Sequence, residues 1–173
     1  MTPTRTPQLP RRVRPCRCED AGNCLVDDAD VSEIQRAGRG ISAGLPNALA
    51  RVASGDPRAM STIAKADHDE VRTAATSLSV GLVVTRKSAV AVLEGFSQGT
   101  FTSEEAQAWA SFVRRGYVAG GRGPIRPIDI AYEDAWEDAI VEAIARLDQI
   151  GDSADGDVTP GQVLDLLQLL GVS

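Results

Sequence analysis

Between residues 67 and 162 a helix-capping residue is followed three times, three positions later, by Glu or Gln: Asp67 with Glu70, Thr102 with Glu105, Thr159 with Gln162. Such a pair satisfies two of the N–H groups that a helix start leaves without partners. Each pair precedes apolar residues at i, i+3, i+4 spacing, which only a helix gathers onto one face. After Asp67 the face is Val71, Ala74, Ala75 and Leu78. After Thr102 it is Ala106, Trp109, Ala110, Phe112 and Val113, with Gly116 to end it. After Thr159 it is Val163, Leu166, Leu167 and Leu170, with Pro160 at the first helical position, where its missing N–H costs nothing. Two more stripes lack the pair. One is Ala89, Val92, Leu93 and Phe96, ended by Gly99; the other runs from Glu133 to Ile150 through Trp136, Ala139, Ile140, Ala143, Ile144 and Leu147, with Gly151 where a terminating glycine belongs.

These elements predict an all-α fold, a small helical bundle of four to five helices joined by short loops. Composition agrees: 43% of residues are hydrophobic but only 4% aromatic, a supply suited to closely packed helices. Leu78 to Val84 is β-branched enough to be a strand. A lone strand is not viable and no comparable second strand is visible, so the segment is expected to be buried helix or an interhelical turn.

Residues 1–59 are expected to be a disordered or weakly structured Arg/Pro-rich segment, and residues 60–173 the acidic helical domain. Pro3, Pro7, Pro10 and Pro15 stand among arginines in a stretch with few large apolar side chains. Gly38, Gly40 and Gly44 interrupt the next stretch, leaving two turns at most over Asn47 to Ala53. Met60 opens uninterrupted helical patterning and is expected to lie near the domain start, and near the translation start. The Arg11-Arg12 pair suggests an export signal, but the apolar segment such a signal needs does not come after it. No apolar run approaches the ~18 residues that span a bilayer. The expectation is a cytoplasmic protein with no membrane partner.

Charge is unevenly placed. Residues 1–59 hold 9 Arg against 7 Asp/Glu, whereas Asp129 to Asp165 holds 11 acids against Arg146 alone. A field of that sign repels nucleic acid and attracts basic proteins. Glu133 with Glu137, Asp134 with Asp138 and Asp138 with Glu142 are like-charge i, i+4 pairs, each costing about 0.2–0.5 kcal/mol in a helix. A merely soluble face mixes signs. A partner-binding face is therefore expected at Asp129, Tyr132, Glu133, Asp134, Glu137, Asp138, Asp152, Asp155 and Asp157, with Tyr132 as an aromatic anchor.

Catalytic, metal and cofactor motifs are weak by comparison. Cys16, Cys18 and Cys24 supply three thiols at spacings unlike those of a zinc site, and are expected to be incidental. His68, the sole histidine, is flanked by Asp67 and Asp69 and expected on the surface. The Asp152–Asp157 loop fails as a calcium loop, since Gly156 in the glycine position puts Gly151, Ser153 and Gln162 where ligands are needed. Gly120-Gly121-Arg122-Gly123-Pro124 lacks phosphate-loop spacing and is expected to be a connector. No enzyme activity, metal or cofactor is expected.

From about Ala89 to Leu170 the chain resembles the small bacterial immunity proteins of the colicin-immunity-like kind. The residues are Leu93-Glu94-Gly95-Phe96-x-x-Gly99, then Thr102-Ser103-Glu104-Glu105-x-x-x-Trp109-Ala110, an acidic helix, and Gly156-Asp157-Val158-Thr159-Pro160. Arg114-Arg115-Gly116-Tyr117 departs from the acids such proteins often carry there, and residues 1–60 have no counterpart. The resemblance implies a helical, non-enzymatic antitoxin-type inhibitor that neutralises a basic toxin by charge complementarity. The alternative is a helical regulatory or scaffold module making protein–protein or homo-oligomeric contacts.

Overall fold

A computed structural model of the chain describes residues 44–151 and 158–172, all within one compact unit spanning 40–173. The first element is α1, Leu45–Ala53, with a proline in its first turn. Leu45, Ala48, Leu49 and Val52, at i, i+3, i+4, i+7, are all buried. Asp56 then caps a 3₁₀ turn, Pro57–Ala59, which runs into α2, Met60–Ile63. Residues 45–59 are thus core, and the boundary expected at Met60 is corrected: the compact unit begins before α1. The flanking glycines mislead, because helix α1 is stabilised by what it packs against and not by its own length.

The three capping pairs stand where the spacing predicts. Helix α3, His68–Thr76, starts with the Glu70 carboxylate accepting the Asp67 N–H at 3.0 Å. Strand β1, Leu82–Val84, leads through Thr85 into α4, Arg86–Ser97, and Thr102 caps α5, Ser103–Arg115. Strand β2 is Ile130–Tyr132; a 3₁₀ turn, Asp134–Trp136, precedes α6, Glu137–Asp148; and Thr159 caps α7, Pro160–Leu169.

The fold is mostly helical but not purely so. Among the described residues there are seven α-helices and a two-stranded parallel sheet in which Leu82, Val83 and Val84 pair with Ile130, Ala131 and Tyr132. The all-α bundle of four to five helices is corrected to that extent, and residues 78–84 are turn and strand, not helix. A parallel pair needs a long crossover, and here α4 and α5 supply it. The partner therefore lies 48 positions away behind Pro124 and Pro127, where local patterning does not reveal it.

Helices α5 and α6 form the most extensive helix pair. Trp109, Ala110, Phe112 and Val113 face a core that also holds Ile140, Ala143, Ile144 and Leu147. The Trp109 indole N–H donates to the Val52 carbonyl at 2.8 Å, tying α5 to α1. Gly116 ends α5 at φ +70°, and its carbonyl accepts the Ile128 N–H at 2.9 Å. A Cβ at this position would lie 2.3 Å from the Ile128 carbonyl oxygen, so only glycine lets the backbone leading to β2 come so close.

Candidate functional site

The acidic surface is built where β2 hands over to α6. Asp129, just before β2, and Asp134, Glu137 and Asp138 on the 3₁₀ turn and first turn of α6 are all exposed. None of these four forms an ion pair among the described residues, whereas Glu142, one turn further on, lies 3.3 Å from Arg146. Glu137 and Asp138 sit in the first turn, where the positive end of the helix dipole offsets part of their mutual repulsion. The start of a helix whose other face is in the core thus carries carboxylates that no described cation neutralises.

Two residues expected on that face are committed elsewhere. The Glu133 carboxylate accepts the Arg86 backbone N–H at 2.8 Å, serving the start of α4. Tyr132 is half-buried with its hydroxyl 3.4 Å from the Val113 carbonyl, which it donates to. Burial raises its phenol pKa, opposed by the nearby positive charge of Arg114 and assisted by Glu137. It is a packing residue and not an exposed anchor. Asp152, Asp155 and Asp157 lie outside the described residues, as do Cys16, Cys18 and Cys24.

Trp136 is half-buried in the 3₁₀ turn and not on the buried face of α6, because the helix begins at Glu137 and not at Glu133 as its spacing implies. The Arg86 guanidinium lies over its ring at 4.7 Å and donates to the carbonyls of Leu170 and, at 3.0 Å, Gly171. This arginine next to the acidic surface is therefore spent on closing α7 against the body of the fold.

A second polar centre is not legible in the sequence as a site. Asp148 at the end of α6 is buried, and receives Arg114 at 2.9 Å and Arg115 at 3.4 Å from α5. It borders a groove of about 560 Å³ between α2 and α5, which also presents Arg58, Glu104 and Tyr117. Two arginines converge there on one buried carboxylate, unlike the unpaired acids at the start of α6. Arg114 and Arg115 are visible as a basic doublet; that one acid 33 positions away takes both is not.

His68 is buried, correcting the expected surface position. The loop after α5 folds over it: Nε2 lies 3.1 Å from the Val118 carbonyl, the His68 backbone N–H donates to the Arg122 carbonyl, and Tyr117 meets the ring edge-on. Nε2 thus carries the proton and donates it, while Nδ1 is buried with no partner among the described residues. His68 in this place pins the 117–122 loop to α3.

Among the described residues no three His, Cys, Asp or Glu side chains converge as metal ligands, and no helix is long and apolar enough to cross a membrane. Compared with known protein families, with curated proteins and with solved structures, the chain matches none.

Proposed function

We propose that this protein is a non-enzymatic inhibitor of immunity or antitoxin type, which captures a basic protein partner, a toxin, on Asp129, Asp134, Glu137 and Asp138. The observation that carries this reading is the contrast between Glu142, which has a counterion, and four exposed carboxylates that have none among the described residues. Like-charge clustering on a helix start opposes folding slightly, and a cationic partner removes that cost on binding. Charge of this kind accelerates encounter and fixes register more than it deepens affinity. Capture should therefore weaken with salt, mainly through a slower on-rate.

The test is Glu137→Lys with Asp138→Lys, co-expressed with the toxic product of the adjacent open reading frame. Growth rescue should be lost while the melting temperature stays equal or rises. Full rescue by the double variant, or no capture of that product at low salt, would falsify the reading. A second reading, the helical scaffold module, is supported by Leu164 and Leu169 on α7, which are 59% and 49% exposed. It predicts concentration-dependent self-association that Leu164→Lys abolishes.

A further inference from the structure

We propose that the free edge of β1 is a second binding site, which receives an extended, uncharged peptide segment of a partner protein as a third strand of the sheet. The site is independent of the acidic surface. Its first support is backbone direction. The Glu133 N–H donates to the Val84 carbonyl at 3.1 Å, so Val84 turns its polar groups toward β2. Strand geometry alternates, and Val83 therefore turns its N–H and carbonyl the other way. Among the described residues the sheet has two strands, and nothing pairs with that edge.

The second support is the groove alongside. It has a volume of about 380 Å³ and runs between the outer side of α1, at Ala50 and Ala53, and the strand side, at Val80 and Val83, with Ser88 of α4 also lining it. Val80 is 75% exposed and Val83 38% exposed, while Leu82 and Val84 point into the core. Every side chain lining this groove is uncharged, in a chain where 24% of residues are charged.

The third support is the absence of protection. Exposed edges are usually guarded by charges, prolines or bulges. Strand β2 obeys that rule, with Arg126, Pro127 and Asp129 before it and Glu133 and Asp134 after it. Leu78 to Thr85 contains neither a charge nor a proline, and the guanidinium of Arg86, the next charge along, is engaged by Trp136 and the carbonyls of Leu170 and Gly171. Unpaired main-chain groups beside a neutral apolar trough specify the occupant: backbone in extended conformation, with small apolar or hydroxyl side chains. Main-chain bonds to Val83 give the affinity, and the trough selects alternate side chains.

The probe is a blocked hexapeptide of alternating Val and Thr, titrated into the full chain while the Val83 amide is followed by NMR. Its backbone N-methylated analogue and an alternating Glu-Thr peptide serve as controls. The Val-Thr peptide should shift the Val83 amide and slow its hydrogen exchange, and both controls should fail. Ala50→Glu, on the exposed side of α1, should weaken binding about tenfold or more by facing the apolar strand with a carboxylate, with the melt unchanged. Val83→Pro should abolish binding by removing the donor; should it also disturb the fold, Ala50→Glu still decides. No shift at millimolar peptide, equal binding of the N-methylated analogue, or a Val83 amide that shifts with protein concentration alone would overturn the proposal, the last because a second copy would then cover the edge.

Discussion

The α5–α6 pair and the β1–β2 pair are adjacent in the fold and are built by opposite means. Helix α5 carries its own instructions: Thr102 and Glu105 exchange hydrogen bonds at its start, at 2.9 and 3.1 Å, and Gly116 stops it. Its apolar side meets that of α6 in the most extensive helix pair of the fold. The strands have three residues each and no independent stability. They exist because α1 lies on one face, α4 and α5 span the gap, and the backbone at Gly116 lies against Ile128. Helix α5 is specified locally; the sheet is specified only by the assembly.

The sharpest way to break this contrast is to remove the support that both regions share. Deleting residues 1–59 takes away Leu45, Leu49 and Val52, each worth about 1.5–3 kcal/mol when buried, together with the acceptor for Trp109. Against a total stability of about 5–15 kcal/mol, the shortened chain should lose its cooperative melt in circular dichroism while retaining some helix. A sharp transition near that of the parent would show that α1 is dispensable.

A glycine pair separates local from assembled structure more finely. Gly99 and Gly116 both terminate helices, at φ +69° and +70°. A Cβ on Gly99 meets open space, whereas one on Gly116 collides with Ile128. Gly99→Ala should cost about 1 kcal/mol of backbone strain, and Gly116→Ala about 3 kcal/mol because overlap adds to the strain. Urea melts of the two variants measure the difference, and equal costs would mean that the approach to β2 yields easily.

The smallest effect is electrostatic and belongs to the sheet. Burial holds the Tyr132 phenol above its ordinary pKa of 10.0. Below about pH 10 both folded and unfolded chains keep the proton and nothing changes. Above it the unfolded chain releases the proton first, so stability falls as pH rises through the folded-state pKa. Tyr132→Phe should show a shallower alkaline loss than the parent above about pH 10 in denaturant titrations. Parallel curves would place Tyr132 in solvent.

Legibility in the sequence divides along the same line. The starts of α3, α5 and α7 are readable from Asp67, Thr102 and Thr159, because both partners of each cap lie within four residues. The exposure of Glu137 and Asp138 is readable from helical phase. Glu133 and Tyr132 defeat a local reading since their partners, Arg86 and Val113, lie 47 and 19 positions away. His68 does so for a related reason: its acidic neighbours suggest solvent, but a loop 50 positions distant covers it. Strand β2 escapes notice because three residues behind a proline carry no period.

The parallel register has a consequence in time. During synthesis Leu82 emerges 48 residues ahead of Ile130, and at about 5–20 residues per second that is a wait of roughly 2–10 s. Helices α4 and α5 can coil within it, each having its own cap. The Leu82–Val84 segment cannot, and both of its edges stay open, with no charge from Leu78 to Thr85 to repel a neighbouring nascent chain. Translation speed between Thr85 and Ile130 therefore sets how long this uncharged stretch of the polypeptide waits for its own partner.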